Sequence, residues 1–358
     1  MDGRFAFRYE PLAALMSLLF SLLLFLILQG YPLSVFAFSS SAFPGTSDWR
    51  DQGVAIAPGS GWDKRLDGML SPCSMIKKGG KYYLYYIGAD GNRSTDGGPR
   101  NRALGVAIST DGVKFVKHSG NPIIEYLPHG NQEEGVFSAT ALLSGNEVFL
   151  YYGGMIAPNQ KSESVASDIR LATSKNGLDF SDKGVVVSHK DSSVWGYGDE
   201  LFPVGSYQSN DSWNVYYIAK GKGVSWRLGV ATGGSATKLG RSRAVLTSEP
   251  YGDAEVVKLT DNSIGILAGL RSTNIAEART ASVDASYSLS EPVVKYKFNT
   301  KAPEENFALL LDHDKNSWFL YYMPAGRQEI QVMMARGEDS TSLETVPATP
   351  SGLTVNKK

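Results

Sequence analysis

The segment Lys81-Tyr82-Tyr83-Leu84-Tyr85-Tyr86-Ile87-Gly88 decides the fold, because related segments return four times before the C-terminus. Each copy is short, rich in aromatic or β-branched residues and bounded by turn residues, which is typical of a strand buried on both faces. The later copies are Glu147–Gly154, Trp213–Ala219, Ser263–Gly269 and Trp318–Met323. The chain therefore repeats one strand-centred module.

The spacing of the copies predicts a β-propeller. The steps from Tyr86 to the equivalent residues of the later copies are 66, 65, 51 and 54 residues. Such steps are too long for a solenoid repeat, but they suit a four-stranded propeller blade with loops of variable length. Each module reads as strand, aromatic strand, third strand, turn and outer strand, with Asp111-Gly112 and Asn176-Gly177 as turns. We therefore expect an all-β, five-bladed β-propeller.

The last module, around Trp318–Met323, lacks an outer strand, because a tail rich in threonine, proline and serine follows Asp339. Conversely, Asp48–Ile56 has the pattern of an outer strand but stands before the first module, and it closely matches Asp179–Val187. We predict that Asp48–Ile56 completes the last blade and closes the ring without free sheet edges.

A hydrophobic leader precedes the repeats. Arg4 and Arg8 stand before the apolar run Leu12–Leu28, and Val35-Phe36-Ala37 has the pattern of a signal-peptidase site. Because the run is also long enough to cross a bilayer, an uncleaved membrane anchor through residues 12–28 stays open as the alternative. Either way, we expect the globular part outside the cytoplasm, secreted, periplasmic or tethered.

The predicted organisation has three parts. Residues 1–46 are a signal peptide or anchor followed by a linker of small residues, Ser39–Pro44. Residues 47–340 form the propeller, because an all-β ring of repeats commonly exceeds the length of an average domain. Residues 341–358 form a flexible tail, and we expect the protein to be a monomer.

The composition excludes several function classes. A net charge of −1 offers no electrostatic basis for binding nucleic acid. The single cysteine, Cys73, excludes an intramolecular disulfide, and we interpret it as a buried inert thiol and not as a nucleophile. The sequence contains no Gly-x-Ser-x-Gly elbow, phosphate-binding loop or dinucleotide fingerprint.

Acidic residues stand just before the aromatic strands of successive modules. They are Asp67 in the first module, Glu133-Glu134 in the second and Asp199-Glu200 in the third, with fainter counterparts in Asp253-Ala254-Glu255 and Glu304-Glu305. The innermost strand of each propeller blade lines a central channel. We therefore expect these carboxyl groups to converge at one rim of the channel.

These features resemble the five-bladed β-propeller glycosidases, the arabinanase, xylosidase, invertase and levansucrase group of glycoside hydrolase family 43 type. The sharpest matches are Pro72–Tyr86, the turn Ala107–Gly112 and the run Asp199–Pro203, within a repeat pattern that extends from Asp48 to Arg336. The resemblance implies a glycoside hydrolase that cleaves glycosidic bonds of an extracellular oligo- or polysaccharide.

Carried over by position, the catalytic roles of that group fall on three acids. The resemblance implies that Asp67 is the base or nucleophile, that Glu134 supports it and that Glu200 donates the proton. Glycosidic cleavage needs one protonated and one ionised carboxyl, which suits such a set. The sequence departs from the family pattern at Ser71, where an aspartate often stands, and at Leu201, where the glutamate is usual. These departures keep open a non-catalytic propeller that binds carbohydrate or protein.

Sugar sites also need aromatic platforms and polar groups. Trp62, Trp195 and Tyr197 stand in loops before inner strands, so we predict them as platforms, with core packing as the alternative. Asp199 and Arg271 are further candidates for binding substrate. A glycoside phosphorylase is a second enzymatic alternative, but no cluster of basic residues in the sequence marks a phosphate position.

The four histidines predict no metal site. His118, His129, His189 and His313 are scattered at no metal-ligand spacing, so we expect no cofactor. The resemblance leaves one opening, a structural calcium in the channel, since some relatives bind one through a histidine on blade five. Here that residue would be His313, but Asp312–Asn316 is more typical of a hairpin turn.

Overall fold

The computed structural model describes most of the chain downstream of the leader. The described residues are 43–66, 72–90, 102–125, 135–156, 166–209, 212–221, 223–260, 262–271, 273–285, 287–297, 307–324 and 328–336. Residues 1–42 and 337–358, which include the apolar run and the tail, lie outside these ranges. Within the described ranges, no helix is long and apolar enough to span a bilayer.

Strands dominate the described structure, which also contains a 3-10 turn at Val283–Ala285. The strands are β1 (Arg50–Ile56), β2 (Arg65–Leu66), β3 (Ser74–Lys78), β4 (Lys81–Ala89), β5 (Ala103–Ser109), β6 (Val116–Lys117), β7 (Gly135–Ser144), β8 (Glu147–Ile156), β9 (Ala166–Ser174), β10 (Ser181–Val187), β11 (Gly198–Gln208), β12 (Trp213–Gly221), β13 (Val224–Gly233), β14 (Arg241–Leu246), β15 (Tyr251–Thr260), β16 (Ser263–Leu270), β17 (Ile275–Ser282), β18 (Val294–Lys297), β19 (Phe307–Asp312), β20 (Ser317–Tyr322) and β21 (Ile330–Arg336). The predicted aromatic segments are β4, β8, β12, β16 and β20.

The described strands form five antiparallel units. In unit 1 the order is β3-β4-β5-β6, and the short β2 adds to the same edge of β4 as β3. Units 2, 3 and 4 are β7-β8-β9-β10, β11-β12-β13-β14 and β15-β16-β17-β18. Units 2 and 3 are joined by one parallel pair, Glu200 opposite Ser167. An antiparallel meander of this kind is the expected structure of a propeller blade.

Unit 5 combines the two ends of the described chain. Its order is β19-β20-β21-β1, and β1 pairs with β21 from Arg50 opposite Met334 to Ile56 opposite Ile330. The N-terminal strand therefore has the partner that the repeat pattern predicted for it. A bulge at Gln52, between Asp51 and Gly53, interrupts this pairing, and β10 carries the equivalent bulge between Asp182 and Gly184.

The first strands of the five units lie at the centre of the molecule. β3 contacts β7, β7 contacts β11, β11 contacts β15, β15 contacts β19, and β19 contacts β3 again. These contacts form a cycle of inner strands. The outer strands are more exposed than the inner ones, since most residues of β1 and β10 are exposed or half-buried.

Tyrosines of the second strands link neighbouring units. Tyr85 and Tyr321 are fully buried, and their hydroxyl groups donate to the carbonyl oxygens of Gly177 at 3.1 Å and Gly112 at 2.7 Å. Both glycines belong to the turn of the next unit and adopt positive φ angles of 77° and 84°. A buried hydroxyl without a partner would be costly, so the repeated tyrosines require these turns. At Gly112 a Cβ atom would also lie 2.8 Å from the Phe319 ring.

Phe43 and Pro44, at the end of the predicted linker, contact the strands of units 4 and 5. The Phe43 ring stacks on Trp318 with centroids 5.2 Å apart, and the Tyr296 hydroxyl donates to the Pro44 carbonyl at 2.7 Å. Phe43 is 3% exposed. The small residues around these positions predict a linker at Ser39–Pro44, but Phe43 buries a large apolar surface and so joins the core.

Candidate active site

A cavity of about 90 Å³ opens where the inner strands of several units meet. Units 1, 2, 3 and 4 all contribute to its lining. The lining residues are Pro72, Cys73, Arg102, Phe137, Ser138, Ala139, Glu200, Phe202, Pro203, Val204, Trp226, Gly252, Asp253 and Arg271. The lining is thus largely apolar, with a few polar and charged groups, which is typical of a ligand site.

Three aromatic residues of the lining form a continuous stack, which we call the aromatic column: Phe137, Phe202 and Trp226. Phe137 and Phe202 have ring centroids 5.8 Å apart, and Phe202 lies 6.0 Å from Trp226 with an interplanar angle of 8°. The Cζ atom of Arg102 lies 3.8 Å from the Phe137 centroid, and that of Arg271 lies 3.5 Å from the Trp226 centroid. Both guanidinium groups therefore lie over ring faces of the column, within cation–π distance.

The backbone at Trp226 is strained. Its φ angle is +53°, a left-handed value that a bulky residue rarely adopts. Across the strand pair, Ala219 lies opposite Arg227 and Lys220 lies opposite Ser225, so Trp226 is the extra residue of a β-bulge. Bulges redirect side chains next to functional sites, and such strain persists only where the surrounding structure enforces it. Here the bulge brings the indole to the end of the aromatic column.

Glu200 is a buried carboxyl in the lining. It is 7% exposed, and its Oε1 accepts from the Lys220 Nζ at 2.8 Å. The lysine also lies 5.7 Å from the Trp226 ring centroid. The backbone around Glu200 is held to unit 2, because the Ser167 hydroxyl donates to the Leu201 carbonyl at 3.1 Å. The acid therefore occupies a fixed place between units 2 and 3.

A second carboxyl, Asp253, enters the cavity from unit 4. Its Oδ2 accepts from the Phe307 N–H at 3.1 Å, and its Oδ1 accepts from the Ala254 N–H at 2.8 Å. Both donors are backbone N–H groups of inner strands, Ala254 in β15 and Phe307 in β19. The position of this carboxyl is therefore set by the sheet framework.

Glu255 lies two residues further along β15, on the same face of the strand as Asp253. It is 4% exposed, and within the described part of the chain its Oε1 has no hydrogen-bond partner. Burial raises the pKa of Glu255 well above its usual range, and the nearby Asp253 charge raises it further. Cys73 responds in the same way: burial raises the pKa of its thiol, and Asp253 and then Glu255 add to this effect. Cys73 is therefore a buried thiol, as expected, and an unreactive one.

Of the three predicted catalytic acids, the structure describes Glu200. Glu200 lines the cavity, as does the predicted substrate-binding residue Arg271. Asp67 and Glu134 lie outside the described residues. Asp199 belongs to β11, next to Glu200, but its side chain is outside the description.

The three predicted sugar platforms pack inside the units and do not line this cavity. The Trp62 ring stacks on Tyr86 with centroids 5.6 Å apart. The Trp195 ring lies 6.3 Å from that of Tyr217, and Tyr197 packs against the same core between units 2 and 3. Glycines on the strands leave room for both tryptophans. All three residues are partly buried against the core, and their role as sugar platforms stays a prediction.

His313 lies in the hairpin between β19 and β20. That residue begins the turn between β19 and β20, where its Nε2 donates to the Lys258 carbonyl at 2.9 Å, so the hairpin-turn prediction is confirmed. His189 is bound to Asp168, with Nδ1 and Oδ1 2.7 Å apart. Among the residues that the structure describes, no group of three or more His, Cys, Asp or Glu side chains could hold a metal ion.

Sequence reasoning missed the aromatic column and Arg102. A signal existed for two members, because Phe137 and Phe202 follow the acids Glu134 and Glu200 within three residues in successive modules. Trp226 offered no such signal, since it lies on a third strand and reaches the cavity only through its bulge.

Comparisons with known proteins concern the fold alone. No protein-family model and no curated protein matches the chain. Among solved structures, a family 117 glycoside hydrolase of the marine bacterium Zobellia galactanivorans is 13% identical, with a TM-score of 0.55 over 84% of this chain and 94% of that one. A GH32 β-fructofuranosidase from Bombyx mori is 15% identical, with a TM-score of 0.53 over 79% of this chain but 62% of that one.

A third similar structure is the β-1,2-mannobiose phosphorylase from Listeria innocua, determined with β-1,2-mannobiose. It is 11% identical, with a TM-score of 0.51, and the match covers 82% of this chain and 92% of that one. The fold is therefore shared with glycoside hydrolases and phosphorylases of the propeller type. Identities this low carry over no substrate and no catalytic residue.

Proposed function

We propose that the chain is a five-bladed β-propeller glycoside hydrolase that cleaves glycosidic bonds of an oligo- or polysaccharide outside the cytoplasm. The observation that carries the proposal is that the carboxyl group of Glu200, the predicted proton donor, lines one cavity together with an aromatic column. Carboxyl groups supply the acid and base of glycoside cleavage, and aromatic rings pack against sugars. The five-bladed ring is supported by the cycle of inner-strand contacts and the pairing of β1 with β21.

In the proposed reaction Glu200 donates a proton to the leaving oxygen, while Asp67 acts as base or nucleophile with Glu134 in support. The Glu200 carboxylate is ion-paired with Lys220 at 2.8 Å, so this contact has to open before Glu200 can serve as the proton donor. Substrate hydroxyl groups that bind Lys220 would open this pair, which links proton transfer to the presence of substrate.

A second candidate, glycoside phosphorolysis, is favoured by one observation. The lining contains Arg102 and Arg271, and Lys220 lies next to Glu200, although these basic residues are scattered in the sequence. Guanidinium groups bind phosphate through paired N–H donors. In this reaction phosphate would take the place of water and accept the glycosyl group.

We further propose that the leader exports the protein, either as a cleaved signal peptide or as an anchor. Arg4, Arg8 and the apolar run Leu12–Leu28 support this proposal. Fractionation of cells that express the full chain, followed by N-terminal sequencing of the product, tests it. Recovery of the uncleaved chain from the cytosol would contradict both forms of export.

The catalytic proposal is tested with a panel of methyl glycosides and unsubstituted oligosaccharides, whose leaving groups need a proton, assayed by the sugar released with and without inorganic phosphate. Removing a general acid costs roughly 100- to 10,000-fold in rate, so Glu200→Gln should lose at least 100-fold. Glu291→Gln changes an exposed carboxyl outside the cavity and should retain full activity.

Each outcome of this assay has one interpretation. Equal activity of the wild type and Glu200→Gln would remove Glu200 as the proton donor. Turnover only with phosphate would identify a phosphorylase. Binding of glycans without any turnover would identify a non-catalytic propeller.

A further inference from the structure

Among the described residues that line the cavity, Trp226 is the one tryptophan. The residues that the sequence predicts as sugar platforms, Trp62, Trp195 and Tyr197, are not part of this lining. Trp226 is only partly buried against the core of units 3 and 4, so some of its side chain stays open. Its place in the lining puts this open part at the cavity.

The neighbours of Trp226 hold its indole in one orientation. Phe202 lies parallel to the indole within 8°, and the Arg271 Cζ atom lies 3.5 Å from the indole centroid. Stacked rings that overlap fully touch at about 3.5–4.0 Å. The centroids of Phe202 and Trp226 are 6.0 Å apart, so Phe202 is displaced sideways and covers only part of the indole. The indole is therefore fixed in place without being fully covered.

The backbone of Trp226 also points to a ligand. A φ angle of +53° is unfavourable for a tryptophan, and residues that keep such strain cluster at ligand sites. The strain belongs to the bulge that adds Trp226 to β13 opposite Ala219 and Lys220. The same bulge brings the indole to the lining. The fold thus maintains an unfavourable backbone at the position where an aromatic ring reaches the cavity.

Trp226 lies close to the predicted proton donor. The Lys220 Nζ atom is 5.7 Å from the indole centroid and 2.8 Å from the Glu200 Oε1 atom. The carboxyl oxygen therefore lies no further from the indole than these two distances joined end to end. A ligand that packs on the indole is thus held beside Glu200.

We propose that Trp226 is the sugar platform of the cavity. The apolar C–H face of one sugar ring packs on the open part of the indole, and this contact directs the glycosidic oxygen of the sugar toward Glu200. The proposal rests on the proposed function of the cavity as a glycan site and adds the residue that orients the substrate.

The test follows intrinsic tryptophan fluorescence during titration with the methyl glycosides of L-arabinose, D-xylose, D-fructose and D-mannose. A sugar that packs on an indole changes the emission of that indole, so the wild type should respond on binding. Trp226→Phe should lose most of this response but bind within about fivefold of the wild type by isothermal titration calorimetry, because phenylalanine keeps a flat ring. Trp226→Ala removes the platform and should weaken binding about 30-fold or more, as truncation of an anchoring tryptophan does.

The matched controls are Trp62→Phe and Trp195→Phe, which remove the two tryptophans that the sequence predicts as platforms. Both should keep the fluorescence response and the affinity of the wild type. A response that is lost in either control and kept in Trp226→Phe would overturn the proposal. Thermal melting checks that each variant folds, and Trp226→Phe decides the matter if Trp226→Ala does not.

The outcomes separate this proposal from the proposed function. Sugar binding that depends on Trp226, without turnover of any glycoside, would support the platform and overturn the hydrolase. Turnover that depends on Glu200, with KM unchanged in both Trp226 variants, would support the hydrolase and overturn the platform. Absence of both sugar binding and turnover in the wild type would overturn both.

Discussion

Replacing Glu255 by glutamine should make the protein more stable at neutral pH. Glutamine has nearly the shape of the protonated glutamic acid, so the packing on β15 should be preserved. The structure places this side chain in a site that is 4% exposed, with its Oε1 lacking a partner among the described residues. Such a site disfavours the charged form, and glutamine has no charged form.

The magnitude follows from the pKa of Glu255, which burial and then the charge of Asp253 raise above its usual range. In the unfolded chain a glutamic acid releases its proton near pH 4.3. Between that pH and the folded pKa, the folded protein holds one more proton than the unfolded chain. Its free energy of unfolding therefore falls by about 1.4 kcal/mol for each pH unit, and Glu255→Gln escapes this loss.

The assay is the difference in melting temperature between variant and wild type, measured from pH 4 to pH 8. A change of 1 kcal/mol shifts the melting temperature of a large domain by about 2–4 °C. The advantage of Glu255→Gln should therefore grow by about 3–5 °C per pH unit until the folded pKa is passed. Taking the difference cancels the titration of the groups that do not interact with Glu255.

Glu277→Gln is a matched control with the opposite sign. Burial alone would raise the pKa of Glu277, but hydrogen bonds from Lys295 and Arg279, both at 2.6 Å, outweigh it and hold the pKa below its usual range. This carboxylate stabilises the fold above its unfolded pKa, and the stabilisation is lost as the pH falls through the folded pKa. Glu277→Gln should therefore lower the melting temperature at neutral pH by an amount that stays nearly constant down to about pH 5 and shrinks only as the pH falls below about 4.3. A difference between Glu255→Gln and wild type that stays constant from pH 4 to pH 8 would refute the reasoning.

Two further predictions concern contacts between units 1 and 5. Lys77→Met should destabilise the fold by about 2 kcal/mol in urea unfolding, because Lys77 binds the Asp312 carboxylate, which is 1% exposed, at 2.7 Å. The control Lys78→Met removes only a surface contact and should cost less than about 0.5 kcal/mol. Equal effects of the two lysine variants would contradict the buried pair. Tyr321→Phe should cost about 1–2 kcal/mol in the same assay, since it leaves the Gly112 carbonyl without its bond across the units, and an unchanged midpoint would show that this bond contributes nothing.

Most of the fold could be predicted from the sequence because its signals are local. The aromatic run at Lys81–Gly88 became β4, and even the weak fourth copy at Ser263–Gly269 became β16. The last module lacks an outer strand, and Asp48–Ile56 has the pattern of an extra one. In the structure this segment provides β1, which pairs with β21 of the last module. The burial of Phe43 could not be predicted from a local pattern, because its partner Trp318 is distant in the sequence.

The candidate site could be predicted only in part. Glu200 lines the cavity, and the sequence marked it because acids recur just before the aromatic strands of successive modules. Trp62 and Trp195 stay predictions as sugar platforms, but their rings pack on Tyr86 and beside Tyr217, since a tryptophan before an inner strand can also turn onto a strand of its own unit. Position along the chain does not distinguish these two orientations.

By itself, then, the sequence determined which segments are strands, how they are ordered and where the modules meet, because side-chain alternation and turn residues act over a few neighbouring positions. Only the tertiary structure decided which side chains share the cavity. Arg102, Phe137 and Trp226 come from three units at unrelated spacings, and bulges at Phe137 and Trp226 set where their rings lie. A bulge displaces a side chain relative to the strand alternation, and only the packing of whole sheets against one another shows where it arrives.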